Sequence, residues 1–220
     1  MARVLQNEIS KLKKLILALG ASVEECVREA VRAVKRRDVQ LAQRVIDHDA
    51  EIDQMEIDVE EEGLKILALH QPVAIDLRFI ISVLKINNDL ERIGDLAVNI
   101  AERAILLAKH EDVGAHYDMT EMASKTQSML KRCLDALVNL DANLAAEVCA
   151  SDDEIDAMNR ANYAKVGEDL AHAVADPMGR VTILGVSRDL ERIADHATNI
   201  AQDVIYMLEG EIVRHRGATP

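Results

Sequence analysis

Several features that mark other protein classes are scarce in this 220-residue chain. Aromatic residues make up 2% of it and tryptophan is absent, so the stacking platforms of single-strand nucleic-acid binding are missing. The formal net charge of −13 also repels phosphate backbones, and we expect no nucleic-acid partner. No stretch approaches the roughly 18 uninterrupted apolar residues of a membrane span, and the start lacks the apolar segment of a secretory signal. We therefore expect a cytoplasmic protein without direct membrane insertion.

Cysteines are few, and strand signals are absent. Cys26, Cys133 and Cys149 are odd in number and form no Cys-x-x-Cys, which favours small apolar core positions over a disulfide or a thiolate metal site. No alternating β-branched run is bounded by hairpin dipeptides, whereas apolar residues recur at spacings of three and four. The pattern predicts an all-α fold. The basic run Lys35 to Arg37 is short and is expected at a solvated helix end, with a weak docking patch as the alternative.

What the chain does contain is an internal repeat. The segment DLERIGDLAVNIAE from Asp89 to Glu102 recurs as DLERIADHATNIAQ from Asp189 to Gln202, and ten of the fourteen residues are unchanged. A fainter repeat relates residues 38–53 to residues 141–156. Self-similarity at a fixed period is the signature of a duplicated fold. The sequence therefore predicts two similar domains.

We place these domains at residues 1–114 and 115–220. The offset between the copies falls from 103 in the fainter repeat to 100 in the stronger one. About three residues are thus missing between Val166 and Asp189, and a turn is expected there because loops tolerate loss best. This shorter turn is expected to make the second half differ in detail from the first.

Each half is predicted to form an antiparallel three-helix bundle. Asp38 is a good N-cap for the second helix of the first half, and Pro72 ends that helix because the residue before a proline disfavours helical geometry. The third helix is expected from about Ile75 to Ala108. The second half repeats this plan with Thr120 and Asp141 as caps and a break at 176–179.

Pairs of acids four residues apart recur on the second and third helix of each half. Residues four apart share a helix face, so the two acids of a pair project the same way. Asp53 lies nineteen residues before Pro72 and Glu91 nineteen after it, so an antiparallel hairpin should bring both pairs of one half together. These acids are Asp49, Asp53, Glu91 and Asp95 in the first half and Asp152, Asp156, Glu191 and Asp195 in the second.

Four facing carboxylates need compensating positive charge, since a like-charge pair at about 4 Å costs about 4 kcal/mol at an effective dielectric of about 20. An oxygen-only shell favours hard cations, here iron, Mn²⁺, Mg²⁺ or Ca²⁺, with one or more ions in each cluster. The alternative is that the acids line solvated faces and pair with Arg92 and Arg192. Asn99 and Asn199, one turn further on, suit either an ion or helix packing.

At these residues the chain resembles the PhoU family, the accessory proteins of bacterial phosphate-specific transport. The resemblance covers nearly the whole chain and rests on its length, its duplication and the eight paired acids named above, which we call the ladder acids. It implies two homologous three-helix bundles that bind metal clusters. It also implies a dimeric adaptor that represses phosphate uptake and phosphate-starvation signalling by coupling a Pst-type transporter ATPase to a PhoR-type sensor histidine kinase.

Two other functions remain open from the residues. A carboxylate-bridged di-iron oxidase also uses facing carboxylates in a helical bundle, but its Glu-x-x-His motifs occur nowhere in this chain. A metal-free helical scaffold would leave the acids as surface charge. The chain has neither a glycine-rich phosphate loop nor a legible Ser-His-Asp arrangement, so we expect no enzyme.

Overall fold

The computed structural model describes residues 2–110, 119–172 and 176–210. Its helices are α1 (Ala2–Arg36), α2 (Val39–His70), α3 (Ala74–Leu107), α4 (Met119–Asn139), α5 (Ala142–Cys149), α6 (Asp152–Ala171) and α7 (Pro177–Glu209). No strand occurs in these three ranges, and the predicted fold of two antiparallel three-helix bundles is confirmed. None of the helices described is long and apolar enough to cross a membrane. The predicted domain boundary at residue 114 lies outside the described residues.

The turn between the first two helices is built in the same way in both halves. Asp38 caps α2 by accepting a hydrogen bond from the backbone N–H of Leu41 at 2.9 Å, and Asp141 caps α5 by accepting one from Leu144 at 3.0 Å. The residue before each cap is left-handed, with φ of 53° at Arg37 and 56° at Leu140. Both caps were predicted from the sequence. The two halves therefore share this local structure as well as the repeated sequence.

The second half departs from the predicted plan at two places. Its second helix is divided into α5 and α6, which are separated at Ala150 and Ser151, whereas α2 is continuous. Three acids open α6, where they favour a helix start because they complement the helix dipole. The Ser151 hydroxyl donates back to the carbonyl of Glu147 at 2.9 Å. Thr120, predicted as a cap, lies instead within the first turn of α4.

The two bundles pack through α3 and α7, which form the most extensive helix contact among the described residues. The two helices run antiparallel, because Asp89 of α3 contacts Asn199 of α7 while Arg103 of α3 contacts Asp189. The apolar residues of both DLERI segments are buried, with Ile93 and Ile193 fully so. The three cysteines were predicted at core positions. Cys26 and Cys133 are buried, as predicted, whereas Cys149 is only partly buried.

Candidate metal centre

The acid pairs of the first half lie on α2 and α3 and face one another. Burial raises the pKa of Asp49, and the negative charges of Asp53 and Asp95 raise it further. Burial also raises the pKa of Glu91, with added repulsion from Asp95 and, more weakly, from Asp53. Charges act on one another in this way only when they lie close together. The structure thus brings the four carboxylates of the first half into one cluster at the surface.

A fifth carboxylate, Glu56, belongs to the first cluster and was missed from the sequence. It lies three residues after Asp53 on α2, and its charge contributes to the raised pKa of Glu91. Burial, Glu60 and Asp53 raise its own pKa. Asn87 of α3 donates from its amide nitrogen to the Glu56 Oε1 at 2.9 Å and fixes this side chain. The helical spacing to Asp53 could have signalled its place in the cluster.

The acids of the second half form the corresponding cluster between α6 and α7. Burial first, and then the charges of Glu191, Asp152 and Asp156, raise the pKa of Asp195 to about 6. Burial and Asp156 raise the pKa of both Asp152 and Glu191. Asp152 is the first residue of α6. Although the helix is broken just before it, Asp152 still lies opposite Asp195 of α7. Despite the shorter turn that precedes α7, Glu191 and Asp195 both lie close enough to Asp152 and Asp156 for those charges to raise their pKa values.

The two clusters differ in their composition beyond the ladder acids. The duplication places Asn159 where the first half has Glu56, and Asn159 accepts a hydrogen bond from the Ser187 hydroxyl at 2.8 Å. Thr198 stands where the first half has Val98, and its hydroxyl beside Asp152 lowers the pKa that burial raises. The second cluster thus has fewer carboxylates and more neutral oxygens. The expected difference between the halves arises from these substitutions.

Arginine pairing, the alternative to metal binding, is present in part. Arg92 pairs with Glu91 at 3.3 Å and with Asp95 at 3.2 Å, and its side chain is 60% exposed. Arg160 pairs with Asp156 at 3.3 Å in the second half. Exposed pairs of this kind contribute little to stability, with measured values mostly below about 1 kcal/mol. They leave the pKa of Glu91 raised, so they do not fully compensate the repulsion.

The side-chain conformations themselves do not form a closed ligand shell. Across residues 2–110, 119–172 and 176–210, no three His, Cys, Asp or Glu side chains are grouped so that they could hold one metal ion. The donor chemistry nevertheless fits a hard cation, because the exposed arginines do not fully offset the burial and mutual repulsion that raise the pKa values of these carboxylates. Binding would require rotation of side chains within each cluster. The metal role of the eight predicted acids stays a prediction.

Both histidines next to the ladder acids, and Asn199, contact other groups. His196 lies 2.8 Å from the Asp89 carboxylate through its Nδ1, and Asn199 donates to the same carboxylate oxygen at 3.4 Å. His48 contacts the Ser22 hydroxyl at 2.9 Å. For Asn199, helix packing is therefore the role that the structure supports. These contacts show that α3 and α7 are joined by polar groups as well as by their apolar stripes.

The fold and its two carboxylate clusters define a duplicated all-α protein with one candidate cation site in each half. The family model of the PhoU domain matches residues 16–104 and again residues 119–204. The chain belongs to the PhoU family. This is a family of regulatory accessory proteins, and the prediction that the chain is not an enzyme is confirmed by that membership.

Relatives and solved structures agree over nearly the full length. A phosphate-specific transport system accessory protein PhoU homolog from Pseudomonas aeruginosa is 40% identical over 216 residues, which cover 96% of this chain and 88% of that protein. A homolog of the same name from Clostridium acetobutylicum is 32% identical, covering 96% and 97%. The crystal structure of PhoU from Pseudomonas aeruginosa superposes with a TM-score of 0.91 at 38% identity, covering 94% and 99%. That of the phosphate transport system regulatory protein PhoU from Streptococcus pneumoniae gives 0.88 at 29% identity, covering 95% and 99%.

Proposed function

We propose that this chain is a metal-binding cytoplasmic adaptor that represses phosphate uptake and phosphate-starvation signalling. Membership of a family whose relatives are named as accessory proteins of phosphate-specific transport supports a regulatory role in phosphate uptake. The same membership argues against the di-iron oxidase considered from the sequence. Cation binding and coupling to particular partners go beyond that membership and rest on the clustered carboxylates and on the family resemblance.

The cation sites rest on one observation, the repeated clustering of carboxylates whose pKa values are raised. Asp195 is the extreme case, with a pKa of about 6. A bound hard cation supplies the positive charge that this cluster lacks. In the first half the ladder acids lie on α2 and α3, and in the second half on α6 and α7, so binding would tie two helices of one bundle together. The ions considered remain iron, Mn²⁺, Mg²⁺ and Ca²⁺.

The adaptor acts through contact, since the family is not enzymatic. By family resemblance, its partners are the ATPase of a Pst-type transporter and a PhoR-type sensor histidine kinase, which it holds in the repressing state when phosphate is plentiful. A homodimer is part of the same proposal. Faces away from the ladders carry exposed apolar residues such as Leu69, Val73 and Met178, at 66%, 75% and 62% exposure, which are available for docking.

A deletion strain tests this function. We expect phosphate-starvation genes to stay active in phosphate-rich medium, as read from a phosphate-responsive reporter, and the wild-type gene to restore repression. Tagged protein should also retain the transporter ATPase or the kinase from lysate of its own organism. Normal repression in the deletion strain, together with no binding to either protein, would rule the adaptor out.

A further inference from the structure

A cleft of about 820 Å³ opens between the two bundles, away from both carboxylate clusters. One wall is the C-terminal part of α1, and the other is the N-terminal part of α4, with Ala123 and Ser124. Its apolar floor is formed by Val31, Val34 and Met119, which are only partly buried. The volume lies within the range of about 300–1,000 Å³ that is typical of ligand pockets.

The α1 side of the cleft is strongly basic. Five basic side chains line it: Arg28, Arg32, Lys35, Arg36 and Arg37. Arg28 pairs with Glu25 on its own helix, and Arg37 donates to the carbonyls of Leu107 and His110. Arg32, Lys35 and Arg36 are exposed, and no residue in the described part of the chain forms an ion pair with them. Three cations are therefore available at the rim in a protein whose net charge is −13.

The duplication shows that the fold does not require these charges. The positions in and directly after α4 that correspond to the five basic residues are Lys131, Asp135, Val138, Asn139 and Leu140. Both helices end in the same left-handed turn and the same aspartate cap, and basic residues would complement the dipole at either end. The last turn of α4 nevertheless has no basic residue. The basic rim thus belongs to one copy only and needs an explanation other than helix stability.

The two copies also differ at the cleft. Near the middle of α1, Gly20 lets α4 approach closely, because a Cβ at this position would lie 2.8 Å from Leu134. The corresponding residues in the other copy are Ala123 and Val31, and both line the cleft. The second copy thus has no glycine at this position and a smaller side chain in place of the leucine. The cleft lies where the close contact of Gly20 with Leu134 has no glycine–leucine counterpart.

We propose that this cleft is a docking site for an acidic amphipathic helix of a partner protein, an inference that rests on the adaptor function proposed above. Apolar residues of such a helix would lie on Val31 and Val34, and its acidic residues would face Arg32 and Arg36. The rim from Arg28 to Arg36 spans about 12 Å at about 1.5 Å per residue, which matches two turns of a docked helix.

Charge complementarity selects this occupant. The protein as a whole repels an acidic segment, because acids outnumber bases by 39 to 26. The basic rim is thus the place where such a segment gains attraction rather than repulsion, which directs binding to one face. A small anion would use the rim but would leave the apolar floor uncovered. The floor and the rim together fit a ligand that has both an apolar and an acidic side.

Reversal of the rim charges provides the test. The variant Arg32→Glu with Arg36→Glu is compared with the matched control Lys131→Glu with Lys165→Glu, which changes the same charge at exposed positions outside the cleft. Binding of each full-length protein to the purified transporter ATPase and to the kinase is titrated at about 0.1 M salt. We expect the rim variant to bind one of the partners about tenfold more weakly or worse, and the control to bind within about twofold of the wild type.

The outcomes separate the two proposals. A wild-type protein that binds neither partner contradicts the adaptor function itself. A wild-type protein that binds, with a rim variant that binds equally well, overturns the docking site and leaves the adaptor standing. Circular dichroism of both variants confirms that each is folded before binding is compared.

A photo-crosslinking residue at Ser124, on the α4 wall, identifies the occupant. We expect the crosslinked peptide of the partner to carry acids and apolar residues at helical spacing, and a crosslinker at Lys131 to capture no such peptide. A basic or unpatterned peptide would overturn the proposal. So would displacement of the partner by inorganic phosphate at constant ionic strength, because it would show that the rim binds a small anion.

Discussion

The most informative single substitution is Asp195→Asn in protein freed of metal by a chelator. Burial and the charges of Glu191 and Asp152 raise the pKa of Asp195 from 3.8 to about 6 in the folded protein. The folded state therefore holds this proton more tightly than the unfolded state does. The resulting stability is fully present below about pH 4 and is lost as the pH rises through about 6. At neutral pH the ionised Asp195 destabilises the metal-free fold.

The size of this effect follows from the shift and from the exposure of the side chain. Without solvent screening, a difference of about two pKa units between the folded and unfolded states corresponds to about 3 kcal/mol in the free energy of unfolding. Asp195 is exposed by surface area although its carboxyl is desolvated by its neighbours, so solvent screening reduces this to about 1 kcal/mol. For a chain of this length, about 1 kcal/mol corresponds to a rise in the melting temperature of about 2–3 °C.

Thermal unfolding, followed by circular dichroism at pH 8 and near pH 4, measures the change. We expect Asp195→Asn to raise the melting temperature of the metal-free protein at pH 8 and to give no gain near pH 4. Glu102→Gln is the matched control, since it removes one charge from an exposed position of α3 and installs the residue that the second copy carries at 202. Equal melting temperatures for the two variants at pH 8 would refute the repulsion on which the cation sites are argued.

Three further predictions concern the first cluster and the joint between the bundles. Glu91→Gln with Asp95→Asn should lower metal content but retain helical circular dichroism, because relief of repulsion offsets lost ion binding; complete unfolding would show that metal is required for folding. Arg103→Met should lower the free energy of unfolding, measured with urea, by about 2–3 kcal/mol. It removes the ion-pair partner that contacts the buried Asp189 carboxylate at 2.6 Å. Asp189→Asn should lower the free energy of unfolding by less. Burial raises the pKa of Asp189 even beside the arginine, so the charged form is disfavoured and a neutral amide replaces it at smaller loss. An equal loss for both variants would contradict this reasoning. Gly185→Ala should destabilise by about 1–2 kcal/mol although alanine favours helices, because its Cβ would displace Arg103; a gain in stability would show that Arg103 moves freely.

Features set by local chemistry were predictable from the sequence. Asp38 and Asp141 cap their helices because short acidic side chains reach the first free N–H groups, whatever lies elsewhere in the fold. Pro72 marks the hairpin, and equal spacing on either side of it places Asp53 opposite Glu91. The facing arrangement of the ladders followed from these few residues and from helix geometry alone.

Features that depend on tertiary neighbours were not predictable in the same way. The spacing of Glu56 from Asp53 could have indicated its helix face, but the hydrogen bond from Asn87 that fixes its side chain depends on a neighbouring helix. The contact of His196 with Asp89 requires the antiparallel packing of α3 on α7, which no local pattern specifies. The break before α6 had a sequence signal, Ser151 followed by three acids, but the expectation that the second half repeats the plan of the first implied a continuous helix. Lys35 to Arg37 was interpreted as a solvated helix end, because the cleft beside it exists only once α1 and α4 are packed.

Metal content per chain tests the cation sites most directly. Protein purified without chelator or nickel is analysed for iron, manganese, magnesium and calcium by mass spectrometry, beside Glu91→Gln with Asp95→Asn, Glu191→Gln with Asp195→Asn, and all four substitutions together. The account predicts bound metal in the wild type. Each double variant should lose the metal of its own cluster, and the combined variant should lose nearly all of it. A wild type without metal, or variants that retain the full wild-type amount, would contradict the account.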